Sequence, residues 1–442
     1  MLEPISSRLG DPPHKAGTPR ETGASIATLL RPEPGAARGA RAQRPAGPPW
    51  RVTYLVSHPV QSQAPLLAML AGLPWLDLEV AFRSELSPGD DPDAKFGRSL
   101  AREVPLLDGY AHRFLPGSER VLSKLGPRND GLAELLHRDR TDVLWMHGYS
   151  HPVHLAALRL AKRRGLPVFA RAESNLIGQP ASGFRAVLRR KALTRLLSRL
   201  DGLLSIGTAN TRFYRHHGVP AEKIHLMPYA VDNARLAQQA VEARVRRSQL
   251  ARDLGLDPRA PVILFAGELV ENKGVTDLLE AFLTCCASPA QSIRPALVLV
   301  GSGALEGPLR ARARESSGAP VHFAGFRSPS ELPRFYDLAD LVVVPSRFEP
   351  FGLVVNEAMA CGSPVLASTA VGAVPDLIAE NRTGWTFEAG STPDLTRRLR
   401  DLLFEPRDRA ELKRVGEAAR ERIESWDFEA NANGLFHALE SL

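Results

Sequence analysis

Cysteine is almost missing from this chain: Cys285, Cys286 and Cys361 are the three thiols in 442 residues. Three thiols exclude a disulfide framework, and the adjacent pair falls in a helical pattern where buried core thiols are expected. A reducing, cytoplasmic compartment is the matching expectation. No run of about 18 apolar residues occurs, which excludes a spanning helix. The N-terminal stretch also lacks the basic-then-apolar order of a secretory signal. Aromatic residues make up only 6% of the chain. They are not interleaved with its basic clusters, which argues against nucleic-acid binding. No internal repeat is present beyond a β-α rhythm.

The apolar content of 44% and charged content of 24% are those of a soluble globular protein. The length exceeds the ~250–300 residues at which one core usually splits, so two domains are expected. The net charge of +7 is uneven. Residues 49–235 carry +9 and residues 236–442 carry −5. The first half is therefore suited to an anionic surface or substrate. Residues 1–48, rich in Pro, Gly, Ala and Arg without an apolar period, read as a disordered tail. Strand-like apolar runs then alternate with helical patterns, from RVTYLVS at 51–57 to IHLM at 224–227. A charged helical stretch at 235–254 precedes a second series that begins with VILFAG at 262–267. The pattern predicts an α/β protein of two Rossmann-like, doubly wound parallel-sheet domains facing a central cleft. The expected boundaries are 49–235 and 236–425. A helix at 426–442 is expected to pack back on the first domain.

The stretch PSRFEPFGLVVNEAMACGSPVLAS, 345–368, carries the most chemistry. The strand LVVV leads into Glu349, and Pro350-Phe351-Gly352 reads as a turn that opens a helix. Glu357 lies about two turns along that helix and can return to the same side. In open α/β sheets ligands bind outside the carboxyl ends of strands. Two carboxylates there suit hydrogen bonds from vicinal diols. Metal ligation would need further acid or His ligands, and the local stretch has none. GELVENKG at 267–274 places Lys273 at a glycine-rich turn before a helix, an arrangement suited to phosphate. Gly301-Ser302-Gly303 follows the strand ALVLV but misses the dinucleotide spacing by one residue. The following strand, VHFA, lacks the acidic residue a nicotinamide cofactor needs. Its end carries Phe326 and Arg327, a wall for a flat heterocycle or an ordinary loop.

In the first half His147 ends the strand VLWM, where a cleft-facing imidazole serves as acid, base or hydrogen-bond donor. His147, His151 and His154 have no Cys or carboxylate beside them and do not read as a metal site. Asp91-Pro92-Asp93 lies in a Ser/Pro/Gly/Asp loop and reads as a solvated turn. Residues 184–200, FRAVLRRKALTRLLSRL, from Phe184 to Leu200, form a basic amphipathic helix candidate. It suits contact with an anionic membrane, packing on its own sheet, or an anionic acceptor.

Residues 220–390 resemble the retaining family 4 of the GT-B glycosyltransferases, known as glycosyl transferases group 1. The resemblance rests on PYAVDN, AGELVENKG, VGSG, VHFAGF, the 345–368 stretch, GAVPDLI and Asn381-Arg382-Thr383-Gly384 in combination. In the first half RVTYLVSHPVQSQAPLLAML is similar to the opening strand and helix of part of the family. Ser57-His58-Pro59-Val60-Gln61-Ser62 stands where a glycine pair is common. The resemblance implies sugar transfer from a nucleotide diphosphate sugar, UDP- or GDP-linked, with retained configuration. It implies no metal and no further cofactor. The acceptor would be a glycan or lipid-linked glycan in surface polysaccharide or lipopolysaccharide synthesis, reached from the inner face of the plasma membrane. By resemblance Glu349 contacts the donor sugar and Glu357 the ribose. Phe351, Gly352, Leu353 and Gly301 present backbone groups, Lys273 holds the diphosphate, Phe326 and Arg327 border the base, and His147 faces the transferring sugar. The family usually has Arg where this chain has Glu268. A carboxylate repels a diphosphate, so a catalytically weak or silent nucleotide- or glycan-binding protein is the alternative.

Overall fold

Valine and leucine are the commonest residues of the strands, as suits central strands covered on both faces. A computed structural model describes residues 47–83, 106–115, 130–177, 184–287, 295–316, 318–404 and 409–442. All but the last two residues of the expected tail, and the Asp91-Pro92-Asp93 triplet, lie outside the described residues. The first sheet comprises β1 (Trp50–Val56), β2 (Leu76–Phe82), β3 (Ala111–Phe114), β4 (Val143–His147), β5 (Val168–Arg171), β6 (Gly202–Ser205) and β7 (Ile224–Leu226). Its strands are parallel, in the order β3-β2-β1-β4-β5-β6-β7. The second comprises β8 (Val262–Ala266), β9 (Ala296–Val300), β10 (Val321–Gly325), β11 (Leu341–Val344), β12 (Val365–Ser368) and β13 (Trp385–Phe387). It too is parallel, in the order β10-β9-β8-β11-β12-β13.

This is the doubly wound pair that the β-α alternation predicts. Each sheet reverses its winding once, between β1 and β4 and between β8 and β11. Crevices outside the carboxyl ends of strands at such switch points are where open α/β sheets take ligands. The expected helix at 235–254 is instead two, Asn233–Arg244 and Arg247–Asp253. The expected 184–200 helix ends at Leu197, and Leu200 is buried beyond it.

The chain passes between the two sheets at 228–232 and returns near Trp426. The crossings are bonded to each other: Trp426 Nε1 donates to the Tyr229 carbonyl at 2.7 Å. After the return, the Phe428–Glu440 helix buries Leu435, Ala438 and Leu439 in the cluster that holds Leu66, Leu70, Trp75 and Met227. The last helix of the chain therefore completes the core beneath the first sheet. At ~25 cal/mol per Å² of apolar surface, three such side chains contribute several kcal/mol.

Candidate active site

β11 is wholly buried, and the chain leaves it through Pro345 into a loop fixed at both ends. Glu349 N donates to Ala370 O, and Gly372 N donates to Glu349 O, each at 3.1 Å. Gly352, at φ 97°, then starts the Leu353–Ala360 helix. Lys273 reaches the same place from β8, at the end of a short 3-10 turn, Glu271–Lys273, capped by Gly274. A Cβ on Gly274 would lie 2.0 Å from Pro345 O, and its φ is +66°. Only glycine lets the Lys273 turn sit this close to the exit of β11.

The result is an ion pair: Lys273 Nζ donates to Glu349 Oε2 at 2.5 Å. Ser346 Oγ adds a longer bond to the same oxygen, 3.3 Å. The pair faces a cavity of about 240 Å³ lined also by Gly267, Glu268, Ser346 and Gly352. Glu268 is exposed at its wall. Among the described residues Lys273 is the one basic side chain lining it, against two carboxylates. Gly301 supports the same corner, since a Cβ there would meet Gly267 O at 1.8 Å. Its glycine is thus required by packing of two loops.

Glu357 does not line that cavity. Its Oε2 accepts a hydrogen bond from Tyr336 at 2.6 Å. Burial pushes its carboxyl pKa up, opposed by the Tyr336 hydroxyl and the charge of Arg235. Phe351 is buried, with its ring edge-on to Tyr229 at 5.6 Å and stacked towards Trp426 at 6.5 Å. Its side chain therefore belongs to the crossing between the halves. Leu353 is the first residue of the helix. Phe326 and Arg327 follow β10, two strands from β8. Phe326 is 38% exposed. Arg327 lies 3.6 Å from Glu331 and over the ring of Phe335.

His147 ends β4, at the switch point of the first sheet. Tyr54 gives its hydroxyl proton to Gln63 Oε1 at 2.8 Å. The 2.8 Å contact between Tyr54 O and His147 Nδ1 therefore has the imidazole as donor. Nε2 is left as an acceptor, 3.4 Å from Gln63 Nε2 and 3.3 Å from the Tyr229 hydroxyl. Burial, then the charge of Arg171, pushes the pKa of His147 down to about 3. At neutral pH this histidine is an uncharged hydrogen-bond acceptor. That narrows the acid, base or donor roles open to it from sequence.

Three residues beside it escape sequence reading. Arg171, 2% exposed, donates through Nη2 to Met227 O, Pro228 O and Asn431 Oδ1, each at 2.9 Å. Its guanidinium also lies 4.6 Å from the Tyr229 ring. Tyr229 donates its hydroxyl to Glu173 Oε1 at 2.6 Å. One signal was available: Glu173 is the only acid between residues 151 and 200, among eleven basic residues. The same segment reaches the second half, where Asn175 Nδ2 donates to Pro350 O at 3.2 Å. No group of three or more His, Cys, Asp or Glu side chains suited to a metal occurs among the described residues.

Residues 246–422 match the family described as Glycosyl transferases group 1, and residues 79–235 match Glycosyltransferase Family 4. The chain is 32% identical over 229 residues to a D-inositol 3-phosphate glycosyltransferase of Rhodococcus opacus (strain B4), covering 51% of this chain and 49% of that protein. It therefore spans about half the length of that relative. A longer match is to a GDP-mannose-dependent monoacylated alpha-(1-6)-phosphatidylinositol monomannoside mannosyltransferase of Corynebacterium glutamicum. There 27% of 321 residues are identical, over 70% of this chain and 79% of that one. In fold the chain is similar to HepE of Anabaena, solved with UDP and glucose, at TM-score 0.65 and 19% identity, over 88% of this chain and 99% of that one. Two adjoining family matches, one on each sheet, and a shared two-sheet fold agree: the chain belongs to the group 1, family 4 glycosyltransferases of GT-B fold.

Proposed function

We propose that this protein moves a sugar from a nucleotide diphosphate sugar, UDP- or GDP-linked, to a hydroxyl of a glycan or glycolipid, with retained configuration, in surface polysaccharide or lipopolysaccharide synthesis. The Lys273–Glu349 ion pair carries the reading, because it sits at the switch point of one sheet while His147 sits at that of the other. When donor enters, its diphosphate takes Lys273 from Glu349. The freed carboxylate then accepts hydrogen bonds from sugar hydroxyls, and such charge-assisted bonds are roughly twice as strong as neutral ones. Backbone amides at Gly352 and Leu353 and the Lys273 ammonium stabilise the departing diphosphate. The acceptor hydroxyl forms its bond to the anomeric carbon as the carbon–phosphate oxygen bond breaks, and its proton passes to the leaving phosphate. Glu357 serves the ribose, and Phe326 with Arg327 serves the base.

The membrane is the proposed place of work. The Phe184–Leu197 helix exposes Val187 (53%) and Leu188 (59%) beside Arg189, Arg190, Lys191 and Arg195. Apolar side chains flanked by cations suit an anionic lipid surface, each cation contributing about 1 kcal/mol. Val187→Asp with Leu188→Asp is expected to abolish sedimentation with phosphatidylglycerol vesicles while leaving nucleotide binding unchanged. Sedimentation equal to wild type would remove the membrane from the proposal.

A thermal-shift screen over UDP, GDP, ADP and dTDP sugars tests the donor. Ligand at ~100 times its Kd adds about 2.7 kcal/mol of stability. Glu349→Ala is expected to abolish transfer with the fold intact, and unchanged turnover would end its assigned role. One observation favours a second reading, a weak or silent protein: Glu268 shares the cavity with Glu349, opposite a single lysine. Nucleotide release from any donor in the screen would argue against it.

A further inference from the structure

The acceptor's own binding groups are still to be found, and the first sheet supplies a matched pair. Two hydrogen-bond acceptors lie beside the Tyr229 hydroxyl, at 3.3 and 2.6 Å from its oxygen. His147 Nε2 is one, because Nδ1 is spent on Tyr54. The Glu173 carboxylate is the other. Its Oε1 takes the Tyr229 hydroxyl at 2.6 Å, and among the described residues no hydrogen bond is made by its Oε2. Glu173 is exposed, although it lies just past the end of the fully buried strand β5.

Two contacts tie the surroundings of this carboxylate to the donor loop. Asn175, two residues on, bonds Pro350 O, the carbonyl next to Glu349. Tyr229, which holds Glu173, packs its ring on Phe351. Tyr229 itself cannot drift, since its carbonyl accepts from Trp426 Nε1 and from Asn356 Nδ2 at 3.0 Å. An exposed carboxylate this firmly held is pre-organised for a ligand, which saves ordering cost on binding.

We propose that Glu173 is an acceptor-binding residue: its free Oε2 receives hydrogen bonds from hydroxyl groups of a polyol acceptor, alongside the His147 Nε2 lone pair. The inference rests on the glycosyltransferase reading and specifies its acceptor subsite. Two acceptor atoms, one of them anionic, select a ligand end rich in hydroxyl donors and repel a phosphate or carboxylate at this point. Any phosphate of the acceptor must lie away from Glu173. Tyr229 is a positioning residue that acts through Glu173.

The test follows nucleotide release from UDP-glucose and GDP-mannose, alone and with methyl α-glucoside, D-inositol 3-phosphate or phosphatidylinositol vesicles. Glu173→Gln keeps the shape and removes the charge. It is expected to raise the KM for the stimulating polyol at least tenfold and to cut stimulated release about a hundredfold. Unstimulated hydrolysis and UDP or GDP affinity should stay within twofold. Glu173→Asp should recover part of the acceptor KM. Tyr229→Phe should lower melting temperature and raise acceptor KM less than Glu173→Gln does. A Glu173→Gln enzyme with wild-type acceptor KM and stimulated rate would overturn the assignment, as would equal loss of donor affinity, which marks a structural role. If wild type binds donor but no polyol stimulates release, the subsite proposal fails alone. If wild type binds no nucleotide, the transferase reading fails first.

Discussion

On the proposed reading, Glu268 and Lys273 decide how well this site holds a diphosphate. One ammonium faces two carboxylates around about 240 Å³. Replacing Glu268 by Arg removes a repulsion and adds an attraction, so Glu268→Arg is expected to tighten UDP or GDP binding roughly tenfold, about 1.4 kcal/mol. Calorimetric titration would show it, and unchanged affinity would mean that the diphosphate lies elsewhere. His147 gives a second residue-scale prediction. Its pKa falls from 6.5 to about 3 on folding, so the unfolded chain takes up a proton that the folded chain refuses. Stability is therefore full above about pH 6.5 and is lost as pH falls towards 3. At about pH 5 the loss through His147 is about 2 kcal/mol. His154, pushed down to about 4 by burial, adds to it. Urea midpoints measured between about pH 7.5 and 5 should fall, and His147→Gln should flatten the curve. Glu349 and Lys273 were legible because each closes a short motif at a strand end. The Glu173–Tyr229 bond was not, because it joins residues 56 apart across a fold.

At the scale of elements, eleven of the thirteen strands were readable from their apolar runs, and β3 and β13 were not. β3 is four residues, AHRF, with no buried position, and β13 has only three, WTF. Edge strands of this kind have too little apolar alternation to stand out from loops. The helical stretch at 235–254 was read as one element because charge continues across its break at Val245 and Arg246. The glycines that follow β8 and β9 stand out in the sequence, but their reason is tertiary. Gly301 faces the carbonyl of Gly267, which belongs to a different strand's loop. Gly301→Ala would force those loops apart, at a cost of about 3 kcal/mol, in the range of other strained backbone substitutions. A urea midpoint unchanged by this substitution would show that the two loops can separate freely. Because Gly267 lines the cavity, weakened nucleotide affinity should accompany the loss of stability.

For the whole molecule, the important feature is that the last helix belongs to the first sheet's core. Its Asn431 is wholly buried and accepts through Oδ1 from Arg171, 260 residues earlier. Arg171 is a buried cation that donates to two carbonyls and this amide, and among the described residues no carboxylate is bonded to it. Buried charge depends on every such partner, and leaving one position unfilled costs about 1–3 kcal/mol. Asn431→Ala should therefore destabilise the protein by about 2 kcal/mol, and it should do so from a helix far from both sheets' strand-end residues in sequence. Arg171 also underlies Tyr229, so the substitution should loosen the Glu173 carboxylate and raise acceptor KM modestly. Removing residues 426–442 altogether has a larger consequence. It uncovers the apolar face around Leu66, Leu70 and Trp75 and removes the Trp426 bond to the Tyr229 carbonyl. The Lys273–Glu349 cavity keeps all its own residues in such a chain. The shortened protein is expected to expose apolar surface, seen as dye binding, and to aggregate. Shortened protein that stays monomeric, binds no dye and melts like the full chain would show that the first sheet holds its core without the final helix. That outcome would also remove the physical reason for the second crossing between the halves.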